Sequence, residues 1–330
     1  MANKKKFKVT FNMLLFLIWI LIFIGIAATS PVFLSPSYLL NVMLRNIIEI
    51  GMVALPMTLI IIMGGIDLSV GNIMILAATL GGLAAVTYGS AVAVIVTILT
   101  GLVCGLINGL VIVKAKISPM VTTLATMYLY LGISRGISKG SSIYSFDFAT
   151  TMGTTSLFGI PVQVWIYVLL VVIFTVLLAK TTLGRKLYSI GLNENATQYA
   201  GIDVGKIKIA MYIICGLICA LASFIWLGRF TSIKFDAGTN FNMKVITIVV
   251  LGGTSINGGI GSMIGTIIGT LIIATLNSGL TVMNIPIDVQ TIVHGSVLIV
   301  ALIAYAVVNS RAKKKKLIKI EAAPKQVASM

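Results

Sequence analysis

The sequence predicts an all-α polytopic membrane protein of about ten transmembrane helices, and three observations carry this. Of 330 residues, 58% are apolar and 10% charged, with a mean hydropathy of +1.09. A soluble domain runs at about 45–50% apolar and about 25% charged. The eight acidic residues cannot clothe a 35.0 kDa globule in water, which excludes a soluble enzyme, a disordered chain and an ordinary nucleic-acid binder. The apolar residues also fall into runs near the roughly 20 that a spanning helix needs, enough for eight to ten spans.

The chain opens with a basic tail over 1–10 carrying Lys4, Lys5, Lys6 and Lys8, then an apolar run over 11–28. That run is longer than the roughly 7–15 residues of a signal-peptide core, so it reads as an uncleaved first span. Cleavage after the small residues Ala27-Ala28-Thr29-Ser30 is the alternative. Further spans are expected at 47–63, with Glu49 near its start and Pro56 inside, and at 70–88, after a break at Gly64-Gly65. The run 91–113 ends at Lys114-Ala115-Lys116, and 119–134 opens on Pro119, a first-turn position. Spans at 162–179, 209–227, 245–254, 262–280 and 288–308 follow, separated by polar segments at 135–161, 180–208 and 228–244. The run 245–254 is too short to cross alone, so eight spans with both termini on one side is the alternative. The transmembrane domain therefore covers 11–308, and a second basic tail covers 309–330.

The net charge of +16 follows from 24 Lys and Arg against 8 Asp and Glu. With ten spans and the N-terminus inside, 18 of those 24 fall in the two tails and in 114–118 and 180–208. Arg45, Arg135, Lys139, Arg229, Lys234 and Lys244 fall outside. Cytoplasmic segments carry the basic excess in membrane proteins, so most of the charge is topology rather than a polyanion site.

Little in the sequence supports catalysis. His294 is the single histidine; inside a span it is a functional candidate or a polar residue packing helices. It has no evident nucleophile partner and no second His at metal spacing. Cys104, Cys215 and Cys219 lie in apolar runs and read as small packing residues. A phosphate-cradling loop needs Gly-x-x-x-x-Gly-Lys-Ser/Thr; Gly205-Lys206 is followed by Ile207 and preceded by Ala200 where the first glycine belongs. The chain does not bind ATP by that device, so any ATP and Mg that drive it belong to another subunit; no cofactor, metal or catalytic residue is expected on this chain.

Three stretches stand out. The first runs Gly64, Gly65, Ile66, Asp67, Leu68, Ser69, Val70, Gly71, Asn72, an acidic residue at a glycine break between spans. Broken helices of this kind mark transport pathways, while Asp67 is also placed to cap the next span. The second, 191–202, has Gly191, Asn193, Ala196, Ala200, Gly201 and Ile202: Asn193 suits the cap of a short helix that Gly201 would end. The third holds Gly252, Gly253, Thr254, Ser255, Gly258, Gly259 and Gly261, followed by Gly265 and Gly269. Glycines at 261, 265 and 269 share a helix face and permit close helix approach.

In order and spacing these stretches resemble the permease subunit of ABC transporters of the ribose, xylose and galactoside type, the inner-membrane component of binding-protein-dependent transport systems, related more distantly to branched-chain amino acid permeases. The matches are Gly-Gly-Ile-Asp-Leu-Ser-Val-Gly at 64–71, Gly-x-Asn-x-x-Ala-x-x-x-Ala-Gly-Ile at 191–202 and Leu-Gly-Gly-Thr-Ser-x-x-Gly-Gly-x-Gly at 251–261, and the likeness covers about 12–308. The resemblance implies a ten-helix bundle with inverted repeats in a bacterial inner membrane, both termini cytoplasmic. It implies a second permease copy, identical or different, around a shared pathway, a cytoplasmic ATPase docking on the 191–202 segment, and an extracytoplasmic binding protein meeting 135–161 and 228–244. A neutral polyhydroxylated solute would then cross by alternating access, with Asp67, Ser69, Asn72, Asn108, Asn277 and His294 as candidate lining groups. The rival, an ion- or proton-coupled transporter, would need intramembrane carboxylates; Asp67, Glu49 and Asp288 are the candidates, all near span ends.

Overall fold

The computed structural model of the chain describes residues 11–286, 288–293, 295–297, 299–300 and 303. The tails 1–10 and 309–330, and His294, lie outside the described residues. The chain folds into helices α1 (Phe11–Thr29), α2 (Pro36–Tyr38, continued by π turns over Leu39–Leu44), α3 (Ile48–Ile62), α4 (Val70–Tyr88), α5 (Ser90–Lys114), α6 (Pro119–Ser138), α7 (Asp147–Thr154), α8 (Val162–Lys180), α9 (Thr182–Leu192), α10 (Glu194–Tyr199), α11 (Val204–Phe230), α12 (Phe241–Leu251) and α13 (Met263–Val282). Strand β1 (Ile143–Tyr144) pairs antiparallel with β4 (Ser232–Ile233), and β2 (Ser156–Leu157) with β3 (Ile160–Pro161).

Among the described residues, α1, α4, α5, α8, α11 and α13 are long and apolar enough to cross a bilayer. The α2–α3 pair, bent by 54°, makes a seventh if it is one span. Ten spans are thus not reached on length and composition. Thr122, Thr123, Thr126, Ser134 and Arg135 dilute α6, α12 has only 11 residues, and 288–308 is described only in part.

The centre of the bundle is α3. All 15 of its residues are buried, because it is apolar on every face and is wrapped by α8, α11, α12 and α13. A glycine-lined seam joins α5 to α11: Gly101, Gly105 and Gly109 sit four apart against the backbone at Gly216, Tyr212 and Ile209. Any Cβ on the α5 side would strike it, so the two helices approach backbone to backbone. The α12–α13 hairpin closes the same way, with Gly265 against Gly252 and Gly269 against the Ile248 carbonyl. Gly261 precedes α13 and packs on Ile62 instead. The first helix belongs to the bundle: Ile26 packs on Gly279, and the Trp19 indole donates to Thr275 at 3.0 Å.

Two polar segments differ from the sequence expectation. The stretch 180–208 is largely helical, because α9 and α10 fill it and α11 begins at Val204 rather than 209. The stretch 228–244 does not stay at one end of the bundle. After pairing with β1 beside Gly82, it runs back along α4 until Gly238 packs against Gly71, and α12 starts there. That is why the eighth apolar run is short: the chain has already travelled part of the depth in the turns over 235–240.

At the strand-bearing end, Glu49 of α3 meets Arg229 of α11 at 3.1 Å, with Glu49 fully buried and the Arg229 side chain 11% exposed. Arg229 also donates to the Arg45 carbonyl and, at 2.8 Å, to the Asn46 side chain. Removing one partner of such a pair strands the other charge in a low-dielectric site. Arg229→Ala is expected to lower stability by about 3–5 kcal/mol, read as a fall in Tm in detergent. The double variant Glu49→Gln/Arg229→Gln should recover a large part of it. A double variant no more stable than Arg229→Ala would show that the pair's charge is not what matters.

Candidate functional site

The break between α3 and α4 is built to hold non-helical backbone. Asp67 is fully buried, and its Oδ1 accepts from the Ser69 amide at 2.9 Å and the Ser69 hydroxyl at 2.6 Å. This is a side-chain turn that bends the backbone into α4. The Ser69 hydroxyl accepts from Asn108 at 2.8 Å, and Asn108 accepts from Tyr130 at 3.2 Å. The remaining backbone groups are met from α6 and α12. Thr123 accepts from the Leu68 amide at 3.1 Å and shares its proton between the Ile66 and Pro119 carbonyls. Asn242 donates to the Leu68 carbonyl at 3.1 Å. Asp67 of the linker and side chains of α6 and α12 thus supply what a continuous helix would have supplied itself. Asp67 Oδ2 and the Tyr212 hydroxyl are buried without a hydrogen-bond partner. Asp67 therefore does position the start of α4, and it does so from inside a polar network.

The three sequence stretches meet at the far end of α3. The Gly259 amide donates to the Ile62 carbonyl at 2.8 Å. A Cβ on Gly191 would collide with that carbonyl and with the Gly259 amide, and one on Gly258 would lie 3.0 Å from Gly64 N and from the Gly191 carbonyl. Gly191 is thus glycine because three backbones converge there, whereas Gly64 has open space around it and is glycine for its φ of +82°; Gly258 meets both demands, with φ +81°. Tyr188 of α9 adds a bond to the Gly261 carbonyl at 2.8 Å. Beyond the junction, Gly252, Thr254 and Ser255 are buried, and Gly253 has φ +84° and packs against the Phe11 ring.

The rest of the 191–202 stretch faces outward. Asn193 caps α10, accepting from the Ala196 amide at 2.9 Å, and Gly201 ends it with φ +83°. Asn193, Ala196, Ala200 and Gly201 are exposed, Ile202 is half-buried, and Tyr199 is 92% exposed. Lys208 reaches back to Glu194 at 2.6 Å. Asp203 caps α11, accepting from the Lys206 amide at 3.0 Å. That bond, with the Lys206 ammonium at 2.9 Å, holds the Asp203 carboxyl below the usual carboxylate range. The cap is therefore charged at neutral pH, and its contribution fades only as pH falls through that lowered value.

A cavity of about 300 Å³ opens where α4, α6 and the start of α12 meet. Gly71 and Asn72 from the first stretch line it, together with Tyr128, Thr239, Asn240 and Asn242. Asn72 is fixed by a 2.8 Å bond to the Met127 carbonyl. A second cavity, about 740 Å³, lies on the other side of α12 and includes Asn277, Trp226, Arg229 and Lys244. Ser69 and Asn108 sit in the buried network; Glu49 is the carboxylate paired with Arg229, and Asp288 is exposed. Sequence reasoning missed Thr239, Asn240 and Asn242, because 228–244 read as an outer loop. It also missed the glycine seam of α5, whose spacing of four was visible. The three cysteines are buried free thiols.

A family model described as "Branched-chain amino acid transport system / permease component" matches residues 38–302. The chain is 39% identical over 285 residues to the ribose import permease protein of Bacillus subtilis, covering 84% of this chain and 87% of that protein. It is 35% identical to the ribose import permease protein of Escherichia coli K12, covering 87% and 91%. It is 36% identical to the autoinducer 2 import system permease protein of Photorhabdus laumondii, covering 89% of each. No solved structure matches the chain.

The turn at 67–69 needs an acceptor at Asp67, not a charge. Asp67→Asn retains Oδ1 and is expected within about 1 kcal/mol of the parent. Asp67→Leu strands two buried donors and should cost about 2 kcal/mol or more. Unfolding in detergent separates the two, and equal losses would mean that the carboxylate's charge is required.

Proposed function

The chain belongs to the family of branched-chain amino acid transport system permease components, and from that premise we propose its role: the membrane-spanning permease subunit of an ATP-driven ABC importer for a sugar or sugar-like molecule. The similarity to ribose and autoinducer 2 import permeases over most of the chain supports the substrate class. The observation that carries the mechanism is the seating of α9 and α10. An exposed helical segment rests, through Gly191 and Tyr188, on the ends of both broken hairpins. A cytoplasmic ATPase docking on Asn193, Ala196, Tyr199, Ala200 and Gly201 would press directly on the backbone at Ile62 and Gly259. ATP and Mg belong to that subunit. Relatives named as permeases support a translocation role rather than an enzymatic one.

The finer reading follows. The protein lies in a bacterial inner membrane with both termini cytoplasmic, supported by the placement of 18 of 24 basic residues on one side. Ten spans result if α6, α12 with the turns that lead into it, and 288–308 each cross. A second permease copy completes the pathway, and an extracytoplasmic binding protein meets the end that carries β1–β4 and α7. The secondary-transporter reading is weaker, because Asp67 Oδ1 is engaged in its turn, Glu49 in its ion pair, and Asp288 is exposed.

Uptake of radiolabelled D-ribose, L-arabinose and autoinducer 2 by cells with and without this chain tests the substrate class. ATP-independent uptake by the purified chain in vesicles would overturn the ABC reading. Tyr199→Glu leaves the fold intact, since the ring touches solvent, and is expected to abolish both ATPase co-purification and uptake; survival of both would move the docking site elsewhere. For orientation, Ser141→Cys should react with an impermeant thiol reagent in intact cells and Asn195→Cys only after permeabilisation. The reverse pattern would invert the topology.

A further inference from the structure

Gly71 and Gly238 meet with their carbonyls reciprocally placed: a Cβ on either would lie 2.9 Å from the other's oxygen. The contact sits deep. Eleven residues of α4 separate Gly71 from Gly82, where the β1–β4 pair packs, about 16 Å at 1.5 Å per residue. From the same contact α12 runs a further 11 residues the other way, again about 16 Å. A hydrocarbon core is about 30 Å thick, and α4 continues past Gly82 to Tyr88, so the meeting point lies within the core rather than at either face. Thr239 and Asn240 are exposed there, in irregular backbone, and Asn240 holds φ +62° without capping α12. Acyl chains cannot satisfy such backbone; it persists at this depth only against protein or a water-filled path.

We propose that the cavity beside this contact is this chain's subsite on the shared translocation pathway, and that it takes a neutral polyhydroxylated molecule of monosaccharide size. This rests on the importer reading above and adds the place and the chemistry. The lining contains no charged residue, so it offers nothing to an ion. It presents amides from Asn72, Asn240 and Asn242 and hydroxyls from Tyr128 and Thr239, groups that donate and accept alike, as a sugar hydroxyl requires. Its volume, about 300 Å³, lies at the small end of ligand pockets, which run about 300–1,000 Å³. The larger cavity across α12 carries Arg229 and Lys244 and suits a neutral solute less well. Asn242 ties the subsite to the Asp67 turn through the Leu68 carbonyl, so a shift of the α3–α4 break reaches the cavity wall directly.

The test uses the complete importer in vesicles, with its ATPase and binding protein, and radiolabelled D-ribose, L-arabinose and D-galactose as probes. Thr239→Cys should react with a charged, water-soluble thiosulfonate, and modification should cut sugar uptake at least tenfold while ATP hydrolysis continues. Val172→Cys, on the exposed apolar face of α8, is the control and should resist the charged reagent. Asn240→Leu should reduce uptake to a similar extent. Two results overturn the subsite: Thr239→Cys as unreactive as Val172→Cys, or modified Thr239→Cys importing at the unmodified rate. Failure of the unmodified importer to take up any of the sugars with ATP would instead overturn the importer reading on which the subsite rests.

Discussion

Backbone that leaves the helix inside a bilayer must find its hydrogen bonds within the protein, and the rest of this structure is arranged around that constraint. The chain breaks between α3 and α4, before α12, and between α12 and α13. The first break is satisfied by side chains: Asp67 at Ser69, Thr123 at Leu68 and Ile66, Asn242 at the Leu68 carbonyl. These come from the linker itself, from α6 and from α12. The polar residues of α6 that keep it from reading as an apolar span are therefore among those that hold its neighbour's broken backbone in place.

The break between α12 and α13 is satisfied differently. The Ser255 amide donates to Ile260, the Gly258 amide to Ser255, and the Gly259 amide to Ile62. Backbone pairs with backbone, which works only where chains approach closely, and close approach needs glycine. Gly191, Gly258 and Gly259 meet that demand together. A bulky residue at any of them would separate α9 from both hairpins at once. Gly191, Gly258 and Gly259 thus share one cause, while Gly64 and Gly201 serve only their positive φ.

Much of this was legible in the sequence. Apolar runs located the described helices to within a few residues wherever the helix was long and uniformly apolar, as for 70–88 and 262–280. Asn193 and Gly201 marked α10 because capping and left-handed termination are local chemistry. What could not be read was contact between stretches far apart in the chain. Nothing local in Gly191 says that it faces Ile62, and nothing local in Gly238 says that it faces Gly71. The segment 234–240 was misplaced for the same reason. Its charges and glycine look like a solvent loop, and only the β1–β4 pair and the Gly71 contact reveal that it descends into the bundle. The seam at Gly101, Gly105 and Gly109 was different: its spacing of four was as clear as that at 261, 265 and 269.

The two kinds of break also come close together along the chain at 62–68, one beside the exposed α9–α10 segment and the other beside the polar cavity. Ile62, which receives the Gly259 amide at the junction, is six residues from Leu68, whose carbonyl receives Asn242 at the cavity. Between them lies only the non-helical linker 63–69. A continuous helix over this stretch could transmit motion only by moving as a rigid rod against all its neighbours in a densely packed core. A linker held by exchangeable side-chain bonds can change its path while α3 and α4 keep their packing. The cost of breaking the helix is a set of backbone groups that must be met from elsewhere. The return is that only the linker 63–69 separates the Ile62 end from the cavity wall.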